Sequence, residues 1–75
     1  MEFIEMTGKT LLDIAKEDGP DPEELAQVGV SKESIVRVNR QGDIEIRRCH
    51  GWDLIGGLLG DFDHRLKRET GLDWA

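Results

Sequence analysis

The chain has 75 residues, of which 37% are hydrophobic and 35% charged, so it is long enough for one small domain (residues 1–75) with a thin margin of stability. Its single cysteine, Cys49, excludes an internal disulfide, which favours a reducing, cytoplasmic location. No apolar run approaches the length of about 20 residues that a membrane span needs, and no basic and apolar signal segment is present, so we expect neither membrane insertion nor secretion.

The net charge of −6 is unevenly distributed along the chain. Residues 1–33 carry nine acids and three bases, a net of −6, and residues 53–75 carry five acids and three bases, a net of −2. Residues 34–52 carry two acids and four bases, a net of +2. This segment predicts a locally positive surface, suited to an acidic partner, a phosphate or another copy of the chain. The simpler interpretation is that its arginines keep a sheet soluble.

The N-terminal region combines an ambiguous strand with a short helix. Residues 1–6 contain enough β-forming residues for an edge strand, but no turn fixes their pairing. Thr10, with an acid three residues later, is typical of a helix cap, and Gly19 and Pro20 end the helical spacing of Leu11, Ile14 and Ala15. We therefore predict a first helix of about two turns.

A second short helix is predicted directly after the first. Asp21 is a favourable cap, and Pro22 suits the first helical position because no backbone N–H is needed there. The helix should run to about Val28, with Gly29 in a left-handed conformation at its end.

The segment from residue 36 to residue 48 has the pattern of an antiparallel β-hairpin. Asn39-Arg40-Gln41-Gly42 is typical of a type I turn followed by a left-handed glycine in a bulge. In that register one side of the hairpin is apolar and the other pairs an acid with a base. The predicted pairs are Val38 with Ile44, Val36 with Ile46, and Arg37 with Glu45.

The C-terminal third admits two interpretations. Apolar residues at one-turn spacing predict a long amphipathic helix over residues 53–70, capped by Asp53 and closed by Gly71. Gly56, Gly57 and Gly60 weaken this interpretation, since each costs about 1 kcal/mol in a helix. The alternative is a third strand over residues 52–55 and a helix that begins at Asp61. We favour the long helix.

These elements predict an α+β domain. It has two short N-terminal helices, a central antiparallel β-hairpin and a C-terminal amphipathic helix, and the hairpin becomes a three-stranded sheet if residues 52–55 form a strand. Trp74, one residue from the end of the given sequence, is expected to dock on the core rather than to remain an exposed anchor.

No catalytic, cofactor-binding or metal-binding set is recognisable. Cys49 and His50 are adjacent and would point to opposite faces of a strand, and a metal site needs three or four converging ligands. The second histidine, His64, lies in a separate segment, and the chain contains no second cysteine. We therefore expect no enzyme and no cofactor.

The pattern of residues 36–46, apolar alternation around a glycine turn followed by Ile-x-Ile, resembles the DNA-binding hairpins of AbrB-type transition-state regulators and related antitoxins. The resemblance covers about a dozen residues, and Arg47 replaces the proline that usually follows. It implies nucleic-acid binding by the hairpin arginines. The net charge of −6 opposes this function, since phosphate neutralisation supplies much of the affinity for nucleic acid.

The sequence therefore favours a small acidic interaction domain, expected to form a homodimer and to bind a protein partner through the hairpin surface or the apolar C-terminal region. The alternative is a nucleic-acid-binding regulator or antitoxin. The candidate partner-binding residues are Arg37, Arg40, Arg47, Arg48, His50 and Trp52. The nucleic-acid alternative uses the four arginines of this set.

Overall fold

The computed structural model describes residues 2–17 and 19–74, and in these ranges a four-stranded antiparallel sheet packs one face against three helices. In chain order the elements are β1 (Phe3–Thr7), α1 (Gly8–Ala15), α2 (Pro22–Gln27), β2 (Ile35–Asn39), β3 (Asp43–Arg48), β4 (Gly51–Gly57) and α3 (Phe62–Thr70). The α+β class predicted from the sequence is confirmed. No helix within the described ranges is long and apolar enough to cross a membrane.

The strands form a meander in which each pairs with its neighbour in the chain, in the order β1-β2-β3-β4. The predicted hairpin register is confirmed, with Arg37 opposite Glu45 and an apolar pair on each side of them. The edge strand that the sequence left open is β1, which pairs with β2. Alternate residues of three strands point toward the helices and are buried: Ile4, Met6, Val36, Val38, Ile44 and Ile46.

The turn between β2 and β3 has the predicted geometry. Gly42 has a φ of 88°, and its N–H donates to the carbonyl of Asn39 at 3.0 Å. The side-chain oxygen of Asn39 accepts from the N–H groups of Gln41 and Asp43. Because these bonds fix both the turn and the first residue of β3, the register of the hairpin is set locally.

Each helix contributes fully buried leucine or isoleucine side chains to the core against the sheet. Leu11 and Ile14 come from α1, Leu25 from α2 and Leu66 from α3. Trp74 joins the same core: it is 5% exposed, and its indole N–H donates to the Val38 carbonyl. The predicted docking of this tryptophan is therefore confirmed.

Arg65 on α3 is a buried charged residue that the sequence pattern did not reveal. It is 7% exposed, and its guanidinium donates to the backbone carbonyls of Ile14 and Leu59. The Ile14 carbonyl lies in the last turn of α1, where the helix dipole favours a cation. Arg65 thus joins α1, α3 and the segment that follows β4.

The long helix predicted for residues 53–70 is wrong. Residues 51–57 form β4, which pairs with β3, and the helix is confined to Phe62–Thr70. Gly56 and Gly57 disfavour a helix and are accommodated in the edge strand, so the alternative interpretation was the better one. Asp53 caps no helix and instead forms an ion pair with Arg48, whereas Gly71 ends α3 in the left-handed conformation as expected.

The predicted start of the first helix is also corrected. The cap is Thr7, whose side chain accepts from the Thr10 N–H, and α1 begins at Gly8 rather than after Thr10. This earlier start is possible because β1 leads directly into the helix. The second helix is confirmed, with the Asp21 carboxylate accepting from the Glu23 N–H and Pro22 in the first turn.

The buried Gly8 provides a test of this close connection. A Cβ atom there would lie 1.7 Å from the carbonyl oxygen of Ser31, a backbone atom that cannot move alone. We expect Gly8→Ala to lower the free energy of unfolding by about 2 kcal/mol or more. The measurement is urea-induced unfolding followed by tryptophan fluorescence.

Gly56→Ala is the matched control for this experiment. A Cβ atom at Gly56 would lie 3.8 Å from Pro20 Cγ, an ordinary contact, and its φ is not positive. We expect this change to alter the free energy of unfolding by less than about 1 kcal/mol. Equal destabilisation by the two alanines would contradict the packing of Gly8 against Ser31.

Candidate protein-interaction surface

No helix or strand of residues 2–17 and 19–74 packs on the sheet face opposite the helices, here called the outer face. Its side chains alternate along the strands with the buried ones, and the described helices pack on the other side. Ile35 is 40% exposed and Leu54 is 64% exposed. The outer face consists of Phe3, Glu5, Thr7, Ile35, Arg37, Asn39, Asp43, Glu45, Arg47, Trp52 and Leu54.

Strand pairing arranges these side chains in rows across the sheet. One row, here called the middle row, contains Glu5, Arg37, Glu45 and Leu54, in order from β1 to β4. The order of chemical types is therefore acid, base, acid and apolar. Since neighbouring strands lie about 4.8 Å apart, each member is within contact distance of the next.

Arg37 is the charged group of the outer face that contacts two aromatic rings as well as a carboxylate. Its guanidinium carbon lies 3.7 Å from the ring centroid of Phe3 and 4.1 Å from that of Trp52, so two aromatic rings flank the cation. Its Nε also donates to Glu45 Oε1 at 2.6 Å. Cation–π contacts and the ion pair together hold the planar group in one position. These four residues are called the Arg37 cluster below.

The remaining predicted arginines do not join this cluster. Arg40, in the turn, donates to the carbonyl of Trp74 at 2.9 Å. Arg48 lies on the helical side of β3 and donates to Asp53 at 2.8 Å and to the carbonyl of Val28 at 2.9 Å. These two arginines hold Trp74 and the end of α2 against the sheet, so their role in the structure is to join elements.

Arg47 differs from the other hairpin arginines. It is exposed on the outer face, opposite Trp52 in the register of β3 and β4. No ion-pair partner is found for it within residues 2–17 and 19–74. Of the six candidate residues from the sequence, the outer face therefore brings together Arg37, Arg47 and Trp52.

His50 lies with Cys49 in the exposed turn between β3 and β4. The Cys49 sulfur is free and lies 4.0 Å from His50 Nδ1. In the described part of the chain, no group of three or more histidine, cysteine, aspartate or glutamate residues is arranged to hold a metal ion. His50 therefore lies in the turn that precedes β4 and is not one of the outer-face strand residues.

Phe3 and Leu54 belong to the surface, but the sequence interpretation missed them. No turn in the sequence fixes the pairing of residues 1–6, which contain Phe3, and the spacing of Leu54 also matches the apolar stripe of a helix. A signal for Phe3 is present in the sequence: Ile4 and Met6 alternate with Phe3 and Glu5, which is typical of a strand with one buried face.

No protein-family model, no curated protein and no solved structure matches this chain. Its function is therefore inferred from the geometry of its own residues. Two features of that geometry are informative, the uncovered outer face and the ordered cluster within it.

The Arg37 cluster predicts that a lysine cannot replace its arginine. Lysine keeps the positive charge but lacks the planar group that lies between the two rings. We expect Arg37→Lys to lower the free energy of unfolding by about 1 kcal/mol and to weaken the near-ultraviolet circular dichroism of the tryptophans. Urea unfolding and the circular dichroism spectrum measure the two effects.

Arg47→Lys is the matched control on the same face. Arg47 is exposed and has no described ion pair, so its replacement should change the free energy of unfolding by less than about 0.5 kcal/mol. If the two lysine variants were equally stable, the flanking of Arg37 by the rings would contribute nothing measurable.

Proposed function

We propose that this chain is a non-enzymatic protein-interaction domain whose outer face is covered by a second copy of the chain. The observation that carries the proposal is the uncovered face itself, where exposed Ile35 and Leu54 lie beside the ordered Arg37 cluster. Apolar side chains grouped on one rigid face are typical of interaction surfaces. Arg37 and Glu45, the central charged groups of the outer face, bond to each other. Because each group is already paired, this arrangement favours recognition of a partner over acid–base chemistry.

The middle row supports a second copy as the occupant. A two-fold axis parallel to the strands reverses the order of the row in the partner, so that β2 of one subunit lies over β3 of the other. Arg37 then faces Glu45 of the partner subunit, and Glu45 faces Arg37 of the partner subunit. Leu54 faces Glu5 of the partner subunit. The two central members of the row are thus complementary in charge to their own reversed copy, and each Glu5 faces a leucine rather than a second acid.

The size of the outer face indicates a weak dimer. Four strands about 4.8 Å apart and about five residues long outline roughly 300 Å² of sheet. Stable complexes bury about 800 Å² of accessible surface on each partner. We therefore expect a dissociation constant of about 10 to 100 µM, and a proportion of dimer that rises with concentration.

Nucleic-acid binding, the alternative function, has less support. Arg37 and Arg48 bond to carboxylates and Arg40 to a backbone carbonyl, which leaves Arg47 as the hairpin arginine without a described partner. Three acidic side chains share the outer face with it. Since affinity for nucleic acid comes largely from phosphate neutralisation, this arrangement and the net charge of −6 both oppose the function. Binding of a single-stranded oligonucleotide that weakens steeply with salt would favour it over self-association.

The dimer can be tested by adding a charge to the outer face. Leu54→Asp places a second carboxylate against Glu5 of the partner subunit, and like charges at that distance repel. In sedimentation equilibrium the unmodified chain should approach twice its mass of 8.5 kDa at a concentration of several hundred µM. We expect the Leu54→Asp chain to dissociate about tenfold more readily.

Two further chains make this experiment specific. Leu59→Asp is the control for the added charge, because Leu59 is 62% exposed but lies outside the outer face, and it should not affect dimerisation. Combining Leu54→Asp with Glu5→Lys should restore the dimer, since the proposed axis then sets opposite charges together. A monomeric unmodified chain at about 500 µM would refute self-association, and failure of the double substitution would refute this axis.

A further inference from the structure

A groove lies between the start of α2 and the outer edge of the sheet at β4. It has a volume of about 670 Å³. One wall contains Pro20 and Val28, and the other contains Ile55, Gly56 and Leu59. Val28 is 37% exposed and Leu59 is 62% exposed. The groove therefore offers apolar contacts from both of its walls to a ligand that lies along the edge of β4.

The strand that borders the groove has an unpaired side. β4 is the last strand of the sheet and pairs only with β3 among the described strands. Backbone N–H and C=O groups along such an edge are available to another extended chain. At Gly56 and Gly57 no side chain covers the backbone, so an added strand can approach closely there.

The charges in the groove are of one sign. Its ionisable lining residues are Asp21 and Glu24, both acidic. The Asp21 carboxylate caps α2, whereas no ion-pair partner of Glu24 is found in the described part of the chain. A ligand that complements this groove would carry basic side chains as well as apolar ones.

We propose that this groove binds an extended segment of a partner protein, rich in basic and apolar residues, by adding it as a fifth strand beside β4. This inference rests on the proposed role as an interaction domain and names the chemistry of the partner. Another copy of this chain complements the groove poorly, because each of its edge strands would bring a further acid, Glu5 from β1 or Asp53 from β4.

The experiment is a titration of the nitrogen-15-labelled chain with the peptide acetyl-Lys-Val-Arg-Val-Lys-Val-amide, followed by NMR. Strand addition predicts that the largest shifts fall on the amides of β4 and of residues 20–28. The same peptide N-methylated at alternate residues keeps its charge but cannot complete a hydrogen-bonded ladder. Its affinity should fall by at least about tenfold. Equal binding of the two peptides would overturn the proposal.

Charge recognition is tested with two glutamates of α2. Glu24 lines the groove and Glu23 does not, although both are exposed in the first turn of the helix. We expect Glu24→Lys to weaken binding of the unmethylated peptide by about fivefold or more, and Glu23→Lys by less than about twofold. Equal effects of the two lysines would mean that the peptide responds only to net charge, and would overturn the assignment of the groove.

An Ile35→Lys chain separates this inference from the proposed dimer. Ile35 is an exposed residue of the outer face on β2, two strands away from β4. A charge there should dissociate the dimer and leave the peptide-binding edge at β4 unchanged. Peptide-induced shifts confined to the outer face would overturn the groove proposal and leave the interaction domain intact. Peptide binding by a chain that never dimerises would contradict the proposed self-association alone.

Discussion

The central hairpin of β2 and β3 positions the two outer strands of the sheet, and a short turn fixes the geometry of that hairpin. Gly42 adopts a positive φ, and the Asn39 side chain bonds to both sides of the turn, so the pairing of the two central strands is set within a few residues. β1 and β4 are aligned on either side of that hairpin. A shift of one residue would exchange its two faces, bringing Arg37 into the core and Val36 and Val38 into water. Both the core and the outer face therefore follow from one local turn.

The fold is predictable from the sequence to the extent that its signals are local. The hairpin and α2 were predicted because turn and cap residues lie within the elements that they define. β1 and β4 have no such signal of their own. β1 pairs with residues that lie from 28 positions away, for Thr7 with Ile35, to 36 positions away, for Phe3 with Asn39. The apolar residues of β4 also match a helical period. Arg65 was missed for the same reason, since its acceptor at Ile14 is distant in sequence.

The candidate surface also has one part that the sequence predicts locally and another part that depends on how the strands are ordered. Arg37 and Trp52 were candidates from the sequence, but their contact requires that Trp52 belong to a strand rather than precede a helix. Phe3 completes the cluster only because β1 lies beside β2. In contrast, Arg40 and Arg48 were candidates because of their charge, and the structure gives them backbone and carboxylate partners that join distant elements. The charge distribution along the chain indicated the hairpin as the candidate region. The order of the strands then determined which of its charged side chains lie close to one another.

The fixed position of the Arg37 side chain argues against the simpler view that the hairpin arginines only keep the sheet soluble. A solubilising side chain needs exposure and no fixed position, a description that fits Arg47. Arg37 instead has a side chain that is 21% exposed and is held by two rings and a carboxylate. Fixing such a side chain costs up to about 2 kcal/mol of conformational entropy. For Arg37 this entropy is lost when the chain folds and not when a partner binds. A surface whose charged group is already fixed loses less entropy on binding, so the order of this cluster favours recognition.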